Sequence, residues 1–279
     1  MGKTKATIAD EVHFSGVGIH SGQKVGLSLK PSASGEISFC LEHRDHAIIR
    51  PDPKRVEAMH SSIIAEGEYK VHTVEHLMAT LFAFGIDSVD IVLNSDEIPI
   101  LDGSALPFAR AIQDCGVRPL DSAQSSMKIV KPFTFSEEGT SISVEPDDLF
   151  RIGYTIVYDH PIIQTQTLEL VVNESTFVAE IAPARTFGFL KDVAALRKQG
   201  LSLGGSLANA LVLDDKQVIN GPLRFEDEFV RHKILDFIGD LSLLGHPLRG
   251  YFHAHKAGHS THLKAVRFLL ENPAYYCIQ

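Results

Sequence analysis

The sequence predicts an α+β protein of two domains, each setting a β-sheet against segregated α-helices. Three observations predict it. The chain has 279 residues, 44% hydrophobic and 22% charged, which is enough for two ordinary cores. Strand-type alternation comes first and helical periodicity late, and that order occurs twice. Between the two runs lies "RPLDSAQSSM", residues 118–127, whose Pro, Asp and Ser/Gln cluster reads as a linker. The domains are therefore expected at 1–122 and 123–279.

"ATIADEVHFSGVGIH", "KVGLSLKP" and "GEISFCLEH" alternate as strands between Gly/Ser punctuation. "HTVEHLMATLFAFG" reads as a helix, because Val74, Leu77, Met78, Leu81 and Phe82 share one face and Gly85 is a suitable stop. "SVDIVLNS" is a strand, and "EIPILDGSALPF" leads into a short helix, "FARAIQDCG". After the linker, "KIVKPFTFSE", "TSISVEPD", "FRIGYTIVYD" and "QTQTLELVV" read as strands, and "STFVAEIAPA" and "FLKDVAALRKQG" as helical. "NALVLDD" and "KQVIN" are short strands around a turn. "FVRHKILDFIGDLSLLG" follows as one helix, "GYFHAHKAG" as the last strand and "STHLKAVRFLLEN" as the closing helix. This pattern favours antiparallel sheets.

Composition excludes several functions. A net charge of −9 argues against a nucleic-acid partner, which needs a basic stripe, but leaves room for an anionic small molecule. Cys40, Cys115 and Cys277 are scattered, odd in number and without CxxC spacing, which suits a reducing, cytoplasmic compartment. "MGKTKATIADEV" lacks the apolar core of a signal peptide, and runs such as "LMATLFAFGI" are too short to span a bilayer. "LSLGGSLANALVL" has no P-loop Lys-Ser/Thr, and "FSGVGIHSG" lacks the strand–turn–helix context of a dinucleotide site.

Three clusters could carry chemistry. In "FVRHKILDFIGDLSLLG", Ile234, Phe237, Ile238 and Leu241 group on one side at about 100° per residue, and His232, Asp236 and Asp240 fall roughly opposite. That column is either a solvated face with an i, i+4 pair or two ligands for Zn²⁺ on adjacent turns, with Asp240 as a proton-relay group beyond them. "HTVEHLM" offers His76 as a third ligand and Glu75 to reach a metal-held water. His72, one turn earlier, is a rival that spacing does not exclude. "GYFHAHKAGHSTHL" holds His253, His255, His259 and His262; His259 follows Gly258 at a turn, where an imidazole can donate a proton to a leaving group. Each cluster also has an ordinary reading as surface polarity. Lys233, beside His232, is placed to meet an anionic substrate.

Taken together, "FSGVGIHSG", "TVEHLMATL", "EIPILDGSALPF", "ARTFGFL", "LGGSLANALVL", "LRFEDEFVRHKILDFIGDLSLLG" and "AGHSTHL" occur in an order that closely resembles the UDP-3-O-acyl-N-acetylglucosamine deacetylase family, zinc amidases of lipid A biosynthesis. The resemblance runs from about residue 7 to residue 265. It implies two similar domains packed as a β-α-α-β sandwich with the active site between them. It implies Zn²⁺ held by His76, His232 and Asp236 and not by His72, Glu75 as general base, His259 as general acid and Asp240 as the carboxylate that orients and charges it. Thr186 matches the oxyanion-stabilising position, and Lys233 and Phe187 match substrate contacts. The family's acyl-chain passage falls near residues 188–220. The resemblance implies a small-molecule UDP-acyl-glucosamine substrate. The enzyme is expected in the cytoplasm, as its composition suggests, and as a monomer, although the sequence does not fix the oligomeric state. Peripheral inner-membrane contact is left open. This chain has Ala257 where the family often has the first of two glycines before the acid histidine, and His60 lies in a variable segment that could approach the metal.

Overall fold

Alternation in the first third of the chain is expressed as a five-stranded sheet, ordered Val12–Val17, Lys24–Pro31, Val89–Leu93, Ile37–Leu41 and Ala47–Ile49. Val25, Leu27 and Leu29 of one strand and Val89, Ile91 and Leu93 of its neighbour all turn to the buried face, as a period of two requires. Helices α1 (Glu75–Ala83) and α2 (Leu106–Cys115) belong to this half. In the computed structural model, which describes residues 3–279, the second half builds a seven-stranded sheet centred on Leu248–His255. It adds α3 (Leu190–Lys198), α4 (Glu228–Leu241) and α5 (His259–Glu271). The first two residues of the expected N-terminal domain lie outside the described residues. The halves stack with α1 and α4 face to face between the sheets, an α+β sandwich of two domains.

Helix α1 stops where the sequence placed its end. Gly85 has φ +65°, the Gly85 N–H donates to the Phe82 carbonyl, and the Ile86 N–H to the Leu81 carbonyl. This is the double hydrogen-bond closure for which a left-handed glycine is suited.

Several expectations are corrected. The sheets are mixed: Ile37–Leu41 runs parallel to Val89–Leu93, and Phe150–Val157 parallel to Leu248–His255. In each pair the intervening chain is long enough to carry α1 or α4 as a crossover, which a parallel pair needs. Most of the linker-like segment forms a strand, Val117–Ala123, antiparallel to Thr4–Ile8. Its polar composition suits a largely exposed ribbon. The long helix ends at Leu241, followed by a 3-10 turn at Ser242–Leu244 and by Gly245 at φ +75°. A further strand, Tyr276–Ile278, follows α5 and pairs with Met127–Ile129. Three residues are too few for periodicity to mark it.

Helix α4 is buried almost all round: His232 and Asp236 are each 2% exposed and Asp240 0%. The polar column is therefore not a solvated face. One side of α4 meets its own sheet, and the other meets α1. Gly239 makes that second contact possible, because a Cβ there would overlap the carbonyl oxygen of Glu75 and lie 2.9 Å from its Cα. Gly239→Ala is expected to push α4 from α1 and destabilise the protein by about 1–3 kcal/mol, read as a lowered melting temperature. An unchanged melting temperature would show that the contact is slack.

Candidate active site

The α1–α4 contact brings residues 75–76 of one helix against residues 232–240 of the other. His76, His232 and Asp236 place their ligand atoms within 4.8 Å of one another. His76 Nε2 is 3.7 Å and His232 Nε2 3.4 Å from Asp236 Oδ1, and the two imidazole planes cross at 88°. His232 Nδ1 lies 3.2 Å from the Ala184 carbonyl oxygen. A carbonyl only accepts, so Nδ1 carries the proton and the Nε2 lone pair faces the cleft. Burial pushes His232 down to about 3, against the pull of Asp236, so the ring is neutral at pH 7. Burial would raise Asp236, but Lys233 and His232 outweigh it and hold the carboxyl well below its usual range. Lys233 Nζ donates to Asp236 Oδ2 at 2.6 Å. Two imidazoles and one carboxylate, all buried, are a donor set that fits a divalent zinc-type ion with one position left open. His72 and His60 are not in this group, although His60 lines the same cavity.

Beside these donors stand a buried carboxylate and an imidazole. Glu75 is 4% exposed, and its Oε2 accepts the Ser62 N–H at 3.1 Å. Burial raises its pKa, partly offset by His259 and His76, so the carboxylate is readier to take up a proton than an exposed one. His259, the first residue of α5, donates Nδ1–H to Asp240 Oδ2 at 2.7 Å. Its Nε2 faces the cleft, 4.0 Å from Glu75 Oε1 and 3.8 Å from Asp236 Oδ2. Burial alone would lower His259, but Asp240 first, then Asp236 and Glu75, raise it to about 9. Asp240 is fully buried; burial would raise it, yet His259 and its hydrogen bonds bring it down to about 2.

A cavity of about 430 Å³ opens from these groups. It passes Thr186 and Phe187 and continues between Leu190, Val193, Leu196 and Leu207 of the segment after them. Lys233 Nζ sits 5.8 Å from the Phe187 ring centre, within range of a cation–π contact. The Thr186 N–H donates to the Gly103 carbonyl at 2.7 Å. Gly103, at φ +87°, allows a close approach to the Asn209 carbonyl that a side chain would block. This meeting explains why "LDGSA", "ARTFG" and "SLANA" are separate motifs of one site. Arg185 is clamped by the fully buried Glu228, which accepts from Arg185 Nε at 2.8 Å and Nη2 at 3.0 Å.

The residues that the family resemblance assigns as ligand, acid, base, oxyanion donor or substrate contact border this cleft, Asp240 from behind His259, whereas the rival ligand His72 does not line it. His253 and His255 stay on their strand; His253 Nε2 meets the Thr155 hydroxyl at 3.2 Å. Sequence reasoning missed Ser62, whose hydroxyl also donates to Asp240 Oδ1. A lone serine in a strand carries no pattern that would mark it. It also missed His20, which lines the cavity with a buried Nδ1 that has no partner among the described residues.

A family model described as UDP-3-O-acyl N-acetylglycosamine deacetylase matches residues 5–271. The chain is 46% identical over 270 residues to the UDP-3-O-acyl-N-acetylglucosamine deacetylase of Thermodesulfovibrio yellowstonii, covering 96% of the chain and 92% of that relative. Proteins of the same name from Acidithiobacillus ferrooxidans and Neisseria meningitidis are 41% and 40% identical, over 95% and 97% of the chain and 89% and 91% of the relatives.

The donor geometry generates a metal test. His232→Ala, dialysed against zinc and analysed for bound metal, is expected to retain far less than the parent protein. Undiminished metal content would remove His232 from the donor set.

Proposed function

Because the chain belongs to the UDP-3-O-acyl N-acetylglycosamine deacetylase family, we propose that it hydrolyses the N-acetyl group of UDP-3-O-(3-hydroxyacyl)-N-acetylglucosamine. The products are acetate and the free amine, in lipid A biosynthesis. The observation that carries this reading is the convergence of Glu75 and His259 on one point beside His76, His232 and Asp236. In this reading residues 1–122 contribute Glu75 and His76, and residues 123–279 contribute Thr186, His232, Lys233, Asp236, Asp240 and His259.

His76, His232 and Asp236 hold zinc, which when bound supplies Lewis acidity to the acetamide carbonyl and to the attacking water. Glu75 takes a proton from that water. The Thr186 hydroxyl donates to the developing oxyanion, a contact of the kind worth roughly 3 kcal/mol. His259 Nε2 then donates to the departing nitrogen, and Asp240 keeps the ring cationic until it does. Lys233 and Phe187 border the substrate's path. The apolar side chains of Leu190, Val193, Leu196 and Leu207 along the cavity suit an acyl chain.

The reading places the enzyme in the cytoplasm as a monomer. Cys40, Cys115 and Cys277 are free thiols, and one chain supplies both halves of the site. Among the described residues no helix is long and apolar enough to cross a membrane. Leu190, Leu203 and Leu207 are each half-exposed, which supports peripheral contact with the inner membrane where the substrate's acyl chain resides.

The decisive assay is acetate release from UDP-3-O-acyl-N-acetylglucosamine with and without a zinc chelator; no turnover with zinc present would overturn the reading. Glu75→Ala is expected to keep its zinc and lose about 10²–10⁴-fold in turnover, and full activity would remove the base. The pH profile follows from His259. Its pKa is raised to about 9, so the donor is protonated below that value, and activity is lost as pH rises through it. Asp240→Asn removes the main raising charge and is expected to move this alkaline limb to lower pH. A limb that stays in place would assign it to another group.

A further inference from the structure

Of the four histidines in "GYFHAHKAGHSTHL" the proposed reaction uses one, yet a second is built into the same carboxylate. His262 is fully buried, close to one helical turn beyond His259. Its Nδ1 lies 2.7 Å from Asp240 Oδ2, the oxygen that His259 Nδ1 also reaches at 2.7 Å. Its Nε2 lies 3.0 Å from the Tyr154 hydroxyl. That hydroxyl lies 2.7 Å from the Ala257 carbonyl oxygen, two residues before His259. Phe237 packs against the His262 ring with centroids 4.6 Å apart.

Hydrogen counting sets the direction of these bonds. The ionised Asp240 carboxylate only accepts, so both imidazoles donate from Nδ1. Burial pushes His262 toward its neutral form, which leaves Nε2 an acceptor. The single Tyr154 hydrogen then serves both Nε2 and the Ala257 carbonyl. The turn it reaches is otherwise tied by the Lys256 N–H, which donates to the Thr155 carbonyl at 2.8 Å, and by the Gly258 carbonyl, which accepts from the His262 N–H at 2.9 Å. Lys256 is left-handed at φ +53°, and space beside Gly258 is open to 4 Å.

We propose that His262 and Tyr154 are positioning residues for the proton donor: His262 holds the Asp240 carboxylate in one orientation, and Tyr154 ties the Ala257–Gly258 turn that aims His259. The inference rests on the reading of His259 as general acid. A carboxylate shared by two imidazoles cannot swing to follow one of them. A donor held by both its carboxylate and its turn stays aligned with the departing nitrogen.

The test uses the full chain loaded with zinc. Tyr154→Phe and His262→Ala are each expected to lower kcat roughly tenfold to a hundredfold, with KM and zinc content unchanged. His262→Asn, which can still donate to Asp240, is expected to recover part of that loss. An unaltered kcat in both variants would overturn the proposal, as would a loss matched by lost zinc or by raised KM. A second measurement does not depend on the substrate. In nitrogen-15 histidine spectra, the His259 Nδ1–H resonance should be sharp in the parent and broadened by exchange in Tyr154→Phe. A resonance unchanged by that substitution would overturn the positioning role. Failure of the parent to release acetate would overturn the functional reading alone.

Discussion

The constraint on which the cleft depends is the contact of α1 with α4, where Gly239 lies against the backbone of Glu75. No other residue type leaves room for that approach. The meeting of the two polar sets follows from it, because Glu75 and His76 ride on one helix and His232, Asp236 and Asp240 on the other. Both helices are sandwiched between sheets, so their backbones have little freedom to adjust. The polar side chains therefore meet at fixed distances before any ligand arrives.

Burying so many ionisable groups is costly unless each finds a partner. The cleft meets that requirement by sharing. Asp236 faces His76 and His232 through one oxygen and Lys233 through the other. Asp240 faces Ser62 through one oxygen and two histidines through the other. The result is a sorting of protonation states within a few ångströms. His232 stays neutral, Asp236 and Asp240 stay ionised, and His259 is drawn toward the cation. The proposed reaction, with a metal held and protons moved beside it, needs that division of roles. Ser62 ties the arrangement together, since it comes from the N-terminal half yet bonds Glu75 through its backbone and Asp240 through its hydroxyl.

The polar column of α4 shows how far periodicity reaches. An amphipathic pattern states which residues oppose the apolar stripe, and here it did so correctly. It does not state whether water or another helix lies on that side. Similarly, the strand at 117–123 escaped notice because exposed edge ribbons have the composition of linkers, and their pairing partner is more than a hundred residues away. The mixed direction of the sheets was hidden for a related reason. Strand direction is set by crossovers through helices, which no local pattern records.

By itself the sequence determined the α+β class, the long helices, the glycine stop of α1 and, through the joint order of its motifs, the family. It also marked the ligand, acid and base candidates, because those chemistries permit few residue types. Only the tertiary structure decided that His76 joins His232 and Asp236 while His72 stands apart. It alone brought Ser62, Tyr154 and His262 to the surroundings of His259 and Asp240. Local periodicity arises from short-range backbone geometry, whereas these meetings depend on how closely two helices pack, and that distance is a property of the folded core.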